Sequence, residues 1–337
     1  MEDLVQEEGR NEVRDGLLPS TVTISEPSSN ALPVTWEGLK ASFSDFLTKG
    51  CIEHEHEFYL KFKSWFVQKC NSRNLGERKY KLIFLLADRV LHRGDADLIY
   101  KACESYKRDI GIGENPALLV LHSPGGYAGP AYLIGKMLHE YFSSVDIAIP
   151  RKAKSAATLL SCAANRIHMG SLSELGPIDP QTDDGPALGL KAAIEQLARL
   201  YIAHPGAKEL FVEYMRRRIK PVSIGHYERI VDSAVQYAVR LLRFSRADGD
   251  EKENLNIAKR LAFDYKDHGF VIDKKESQEI FGSDIVKHNT PEYDFANDIY
   301  LDFSALERLA AEHGFSLSFV GSLYQKPQIY KIKKEGM

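Results

Sequence analysis

The stretch Leu118-Leu-Val-Leu-His-Ser-Pro-Gly-Gly126 constrains this chain more than any other. An apolar run cut short by Pro and Gly reads as a buried strand of a parallel sheet ending in a tight turn. Glycine has no Cβ and accepts positive φ, so its N–H can be turned toward open space. A second stretch, Ile149-Pro-Arg-Lys-Ala-Lys-Ser-Ala-Ala-Thr158, repeats the design. A strand over 145–149 meets Pro150, and a small-residue run then opens a helix expected over 156–165. Ser155 thereby stands at a helix start, where unpaired N–H groups and the helix dipole favour a developing negative charge. A hydroxyl beside a glycine turn is the minimum arrangement for acyl transfer. Ser is equally a favoured N-cap and Pro-Gly-Gly is ordinary turn chemistry, so either stretch alone is compatible with a purely structural role.

Around these landmarks, strands are expected at 81–87, 118–122, 145–149 and 166–169. Helices at 96–106, with Asp95 as N-cap, at 129–141 and at 156–165 lie between them. Strands alternating with helices imply βαβ crossovers and a parallel sheet, an α/β fold whose sites lie at the carboxyl ends of strands. Both landmark stretches begin where a strand ends, so they should meet in one crevice. Further helices are expected over 188–202, 207–220, 223–244 and 251–263. A short strand near 270 then leads through an Asp273 cap to a helix stopped by Gly282, and a last helix covers 304–313.

Residues 1–34, acidic and then rich in Ser, Thr and Pro, read as disordered or a linker. Over 35–75 the aromatics Phe43, Phe46, Phe58, Phe62 and Phe66 recur at helical spacing, which predicts a helical arm that packs on the core or on another subunit. The main domain is expected over 76–290 and a C-terminal extension over 291–337, its basic end mobile. A net charge of −3 gives no reason to expect nucleic acid, and the basic run Arg216–Lys220 reads as a solvated helix face. The cysteines, Cys51, Cys70, Cys103 and Cys162, lack metal-type spacing and are too sparse for a disulfide framework. His54 and His56 lie two residues apart and do not share a helix face, so neither metal nor cofactor is called for. The first residues carry no basic-then-apolar leader, and no apolar run approaches the ~20 residues of a membrane span. These features predict a soluble, cytoplasmic protein without a membrane anchor of its own.

Taken jointly, the Ser-Pro-Gly-Gly turn, the Pro150-x-x-Ala-x-Ser-Ala-x-Thr158 segment, Ala163-Ala-x-x-Ile-x-Met169 and Leu175-Gly-Pro-Ile-Asp-Pro-Gln181 resemble the ClpP/crotonase superfamily. More closely they resemble the serine dehydrogenase proteinases, relatives of signal peptide peptidase A and of the Clp proteolytic subunit. The resemblance is strong over Lys79–Leu190, weaker as far as Gly282, and absent from the first 70 residues. It implies a ClpP/crotonase-like parallel sheet with a helical C-terminal region, a polypeptide substrate and assembly into homo-oligomers.

By this resemblance Ser155 is the nucleophile, the N–H groups of Gly126 and Ala156 form the oxyanion hole, and Gly125 lies against substrate. The base is where the branches part. The Clp proteolytic subunit carries a His soon after its serine, but the corresponding zone here, Leu175–Gln181, holds only Asp179. The signal peptide peptidase branch uses a lysine further downstream. Lys208, beside the Pro205-Gly206 turn, lies 53 residues after Ser155 and matches that placement; Lys191 is the second candidate. A lysine serves as base only when burial or nearby charge lowers its pKa. Lys154 adjoins the serine and should point away from it. His122, at the strand end, is a residue to locate near substrate or in the core; His168 and Ser161 read as structural, and Asp179 has no role assignable from sequence. Two other readings remain on the same fold: a crotonase-type acyl-CoA enzyme, against which the lack of an acidic residue at the glycine turn counts, and a catalytically silent scaffold.

Overall fold

The structure, a computed structural model, describes residues 34–332 apart from 73–74, 76–77, 111–112, 114, 183–184, 205, 207–208, 210–211, 214–215, 217–220 and 247–248. The linker expected over 1–34, most of the helix expected over 207–220, most of the basic run at 216–220 and the chain end therefore fall outside the described residues. Lys208 does as well, and so does the side chain of Lys191.

Seven strands form one sheet in the order β11-β10-β1-β2-β3-β5-β9. They are β1 (Lys81–Leu86), β2 (Ala117–His122), β3 (Val145–Ile149), β5 (Arg166–Met169), β9 (Val286–Lys287), β10 (Phe315–Gly321) and β11 (Gln328–Lys331). The pairings from β1 through β9 are parallel, while β10 runs antiparallel to β1 and β11 to β10. Beside this sheet, β4 (Lys152–Ala153) pairs with β6 (Glu174–Leu175), and β7 (Gln181–Thr182) with β8 (Gly185–Pro186). Consecutive strands are joined by α3 (Arg93–Ile110), α4 (Ala128–Tyr141) and α5 (Ala156–Ser161). This is the alternation the sequence predicts.

Each central strand is buried on both sides, and its period of two splits its side chains between two cores. Ile83, Leu85, Leu119, Leu121 and Ile147 join the core beneath α3, α4, α5 and the later helices Pro221–Ser245 and Glu251–Phe263. Leu82, Phe84, Leu86, Leu118 and Val120 point the other way, into a core shared with α1 (Trp36–Lys49), α2 (Ile52–Asn71) and the helix Pro291–Glu312. The aromatic arm is therefore the cover of one sheet face. Phe66 meets Phe319 at 5.2 Å and Phe84 at 6.0 Å between ring centroids, and Phe62 also meets Phe319 at 5.2 Å. Thr35 caps α1 by accepting from Gly38 N, and Gly50 closes it at φ 63°.

Several boundaries differ from the sequence expectation. The residues expected as a C-terminal extension supply a helix that starts at Pro291, well before 304, and a hairpin that completes the sheet. Asp95 lies within α3 and is not its N-cap; its buried carboxylate accepts from His92 N at 2.9 Å and from both terminal nitrogens of Arg89. The helix after Ser155 stops at Ser161 because Asn165 bonds both backbone groups of Val145 and turns the chain into β5. The strand expected near 270 is reduced to a single bridge between Ile272 and Leu175.

Replacing Phe66 by Ala opens a cavity between arm and sheet and should cost about 3–5 kcal/mol. Urea unfolding checks this: the midpoint should fall with little change in slope, and an unchanged midpoint would mean that the arm contributes no stability.

Candidate active site

The turn after β2 is held by its own backbone. Ser123 N donates to Lys152 O and Lys154 N to Ser123 O, which binds the end of β2 to β4. Ser123 Oγ accepts from Gly125 N at 3.1 Å. Leu91 N donates to Gly125 O and Tyr127 N to Leu91 O, so the glycine pair is clamped from the β1 side as well. Gly125 sits at φ 97°, and a Cβ there would lie 2.4 Å from Lys154 O, 2.8 Å from Ser155 Cβ and 3.0 Å from Ala156 N. Those separations place the glycine turn directly against the Ser155 turn. The two strand ends converge in one crevice.

Ser155 has φ 51° and ψ −117°, and only it and Asn289 combine a side chain with positive φ among the described residues. Such a conformation costs about 1–3 kcal/mol and persists only where its surroundings enforce it. An N-capping serine would have extended φ/ψ and would accept an N–H of the first turn. Ser155 does neither, since it makes no side-chain cap hydrogen bond. Thr158 secures the turn from within, donating to Ala153 O at 2.6 Å and accepting from Gly176 N at 3.0 Å. The N–H groups of Gly126 and Ala156 are not taken up by any hydrogen bond among the described residues.

Ser155, Gly125, Gly126 and Ala156 line a cleft of about 790 Å³. Its apolar walls come from Val90, Leu159, Ile178, Ile230 and Ala234; Arg229, Ser233, Tyr237 and His268 supply polar groups. His268, to which the sequence reading assigned nothing, is joined to Asp179. Its Nδ1 stands 2.7 Å from Asp179 Oδ1, with the imidazole 30% exposed and the carboxylate 6%. The 113 or so residues between Ser155 and His268 carry no motif that links them; what could have drawn notice is an isolated Asp-His-Gly turn just before the Asp273-capped helix.

Other residues singled out in the sequence lie elsewhere. Lys154 extends away from Ser155, its Nζ donating to Phe270 O at 3.0 Å and pairing with Glu174 at 3.2 Å. Ser161 donates to Ala157 O inside the core. Cys162 is buried, which pushes its thiol up to about 12. His122 does not face the cleft. Strand alternation turns it to the opposite side of the sheet, where its ring meets Tyr300 at 4.6 Å. Burial first, then the positive charge of Lys152, holds its pKa down to about 4.

Asp146, His168 and Glu292 bring three ligand-type atoms within 4.8 Å of one another. The donor set does not suit a cation. Arg78 and Arg166 already reach Asp146 Oδ2 at 3.2 and 3.3 Å, and the Tyr80 hydroxyl donates to it at 2.6 Å. His168 Nδ1 lies 2.9 Å from Thr290 Oγ1. The group is an ion-pair network that ties the start of the helix Pro291–Glu312 to β3 and β5, with Asp146 at the amino end of its strand and away from the cleft.

Residues 88–204 match the family of ClpP-like SDH-type serine proteinases, which is the resemblance carried by the motifs. Two uncharacterised proteins of Methanocaldococcus jannaschii are similar. One is 33% identical over 102 residues, covering 30% of this chain and 34% of its own; the other is 27% identical over 186 residues, covering 55% and 56%. The chain thus spans about a third and about half the length of these curated relatives. Two solved structures of a membrane-bound stomatin-specific protease, 1510-N, one with a substrate peptide, align at TM-scores of 0.39 and 0.38 with 12% and 13% identity. Both alignments cover 62% of this chain, and 80% and 76% of those proteins. No helix among the described residues is long and apolar enough to cross a membrane.

His122 generates a pH test. Unfolded, it takes up a proton near pH 6.5; folded, only near 4, so its contribution is present above 6.5 and is lost as pH falls toward 4. Glu307, raised to about 7 chiefly by burial, acts with opposite sign, its contribution being lost as pH rises. In His122→Asn the first effect disappears. The stability gap between wild type and variant should narrow by about 2 kcal/mol from pH 7 to pH 5, read from urea midpoints; a constant gap would contradict this account of the buried imidazole.

Proposed function

We propose that this protein is a serine peptidase in which Ser155 attacks the substrate carbonyl. The observation that carries the reading is the backbone of Ser155 itself. A serine held at φ 51°, released from capping and set in a cleft against a glycine turn, has the arrangement of a nucleophile on a sharp strand-to-helix turn. The match of residues 88–204 to ClpP-like serine proteinases supports the same chemistry.

In this reading Oγ adds to the scissile carbon, and the carbonyl oxygen gains charge between the N–H groups of Gly126 and Ala156. Both donors are preorganised by the bonds that clamp the two turns, so little reorganisation is needed as charge develops. Losing one such donor typically lowers turnover by about 10²–10³. Gly125, whose missing Cβ lets the two turns touch, keeps the floor of the cleft open to a peptide backbone. The Ser–Lys form of the proposal gives the Oγ proton to Lys208, with Lys191 second; both assignments rest on spacing and resemblance. Homo-oligomeric assembly belongs to the proposal on the same footing.

A fluorophosphonate probe tests it. Wild type should become covalently labelled, and Ser155→Ala should lose labelling together with hydrolysis of a fluorescent casein. If neither protein is labelled, the scaffold reading is favoured; acyl-CoA turnover that survives Ser155→Ala would select the crotonase reading.

A further inference from the structure

We propose that Arg229 makes this cleft selective for substrates that bring a carboxylate close to the scissile bond. The proposal rests on the peptidase reading and names its substrate class.

One wall of the cleft is a single helix, Pro221–Ser245. Arg229, Ser233 and Tyr237 follow one another at intervals of four residues and so share a stripe of that helix. Ile230 and Ala234 form the stripe beside it, and all five line the cleft. Burial orders the two stripes: Ala234 is buried and Ile230 half-buried, whereas Arg229 and Ser233 are exposed. The helix is firmly seated. Val231, Ala238, Leu241 and Leu242 lie in the core, a Cβ on Gly135 of α4 would come 2.9 Å from Leu241 Cδ2, and Tyr237 stacks on Tyr132 of α4 at 4.7 Å between centroids. The groups on this wall are therefore carried by a rigid element.

Charge singles out Arg229. No carboxylate and no lysine belongs to the described lining, and arginine keeps its proton in proteins. The titratable groups around the cleft are already matched: Lys152 with Asp88 at 2.6 Å, Lys154 with Glu174 at 3.2 Å, and Asp179 with His268 at 2.7 Å. Ser233 Oγ is committed to Arg229 O at 2.8 Å. The Arg229 guanidinium has no ion-pair partner among the described residues, not even Asp232 on the next turn.

An uncompensated cation on a mainly apolar wall sets the terms for what fills the cleft. A neutral or cationic side chain laid over it strips water from the guanidinium and returns no bond, whereas a carboxylate accepts two parallel N–H bonds from the planar fork. The chain as a whole carries a net charge of −3, so a preference for anions at this spot comes from one side chain and not from the general field. A polypeptide offers such a carboxylate in two places, the side chain of Asp or Glu and the free chain end.

The test uses the full chain and peptides of one apolar parent sequence. Leu, Gln, Glu or Lys replaces in turn each of the three residues on either side of the scissile bond, and each peptide is made with a free and an amidated C-terminus. Internally quenched versions give kcat and KM; anisotropy of labelled versions on Ser155→Ala gives Kd without turnover. At one position Glu should exceed Gln by about 10–100-fold in kcat/KM, the gain lying in KM and Kd and not in kcat. An advantage that follows the free C-terminus and disappears on amidation supports the proposal with a terminal carboxylate as its source. Arg229→Gln should bring the ratio to within about twofold of one with an unchanged urea midpoint, and Arg229→Glu should turn the preference toward Lys. A wild type that is labelled by fluorophosphonate at Ser155 but cleaves Glu and Gln peptides alike, whatever the chain end, overturns the selectivity and leaves the nucleophile standing. A preference that survives Arg229→Gln overturns the role of Arg229. A wild type that takes no label overturns the peptidase reading, and equal Kd values for Glu and Gln peptides then overturn the selectivity as well.

Discussion

Around Gly125 the structure leaves no space for a methyl group. Lys154 O, Ser155 Cβ and Ala156 N all lie within 3.0 Å of where a Cβ would be, closer than side-chain atoms come to one another in ordinary packing. This backbone-on-backbone contact lets the ends of β2 and β3 share one crevice, and the unfavourable φ of Ser155 is maintained through it. The local cost of about 1–3 kcal/mol is offset by the hydrogen bonds that enclose the turn: Ser123 with Lys152 and Lys154, Leu91 with the glycine pair, Thr158 with Ala153 and Gly176.

That contact requires a rigid support, and the sheet provides it from both faces. One core lies beneath the crossover helices. The other is the aromatic layer of α1 and α2, whose Phe62 and Phe66 bear on Phe84 and Phe319. Phe319 belongs to β10, so the arm and the last hairpin grip the same strand, β1, from which the clamp on the glycine turn extends through Leu91. At the opposite end of the strands the buried network of Asp146, Arg78, Arg166 and Tyr80 fixes β3 and the helix Pro291–Glu312 relative to one another. Burial first, then the carboxylates of Asp146 and Glu292 to which it donates, hold the hydroxyl of Tyr80 well above its ordinary pKa. It therefore remains a donor.

The cleft is mainly apolar, and its few polar groups are placed on separate elements. The nucleophile candidate is on the β3–α5 turn, the free amides on two different turns, and the imidazole on the loop before the Asp273-capped helix. The Asp179 carboxylate behind this partly exposed imidazole is itself buried, so the pair joins the loop at 268 to the segment after β6 from inside the protein.

From residues alone, the chain established its strands, the crossover helices, the glycine turn and the serine turn that meets it. These depend on local rules: apolar run length, the punctuation by Pro and Gly, and helical spacing of aromatics. Residues 81–170 obey them closely, and there the expected elements and the observed ones nearly coincide. Tertiary structure alone decided three other matters. It placed β10 and β11 in the sheet, since the pairing of β10 with β1 joins segments over two hundred residues apart and leaves no periodic trace. It sent His122 to the far face, because which side of a strand meets which helix layer depends on packing. And it brought His268 to Asp179, a contact across 89 residues made by folding a loop back over the Ser155 turn, where proximity in space has no counterpart in spacing along the chain.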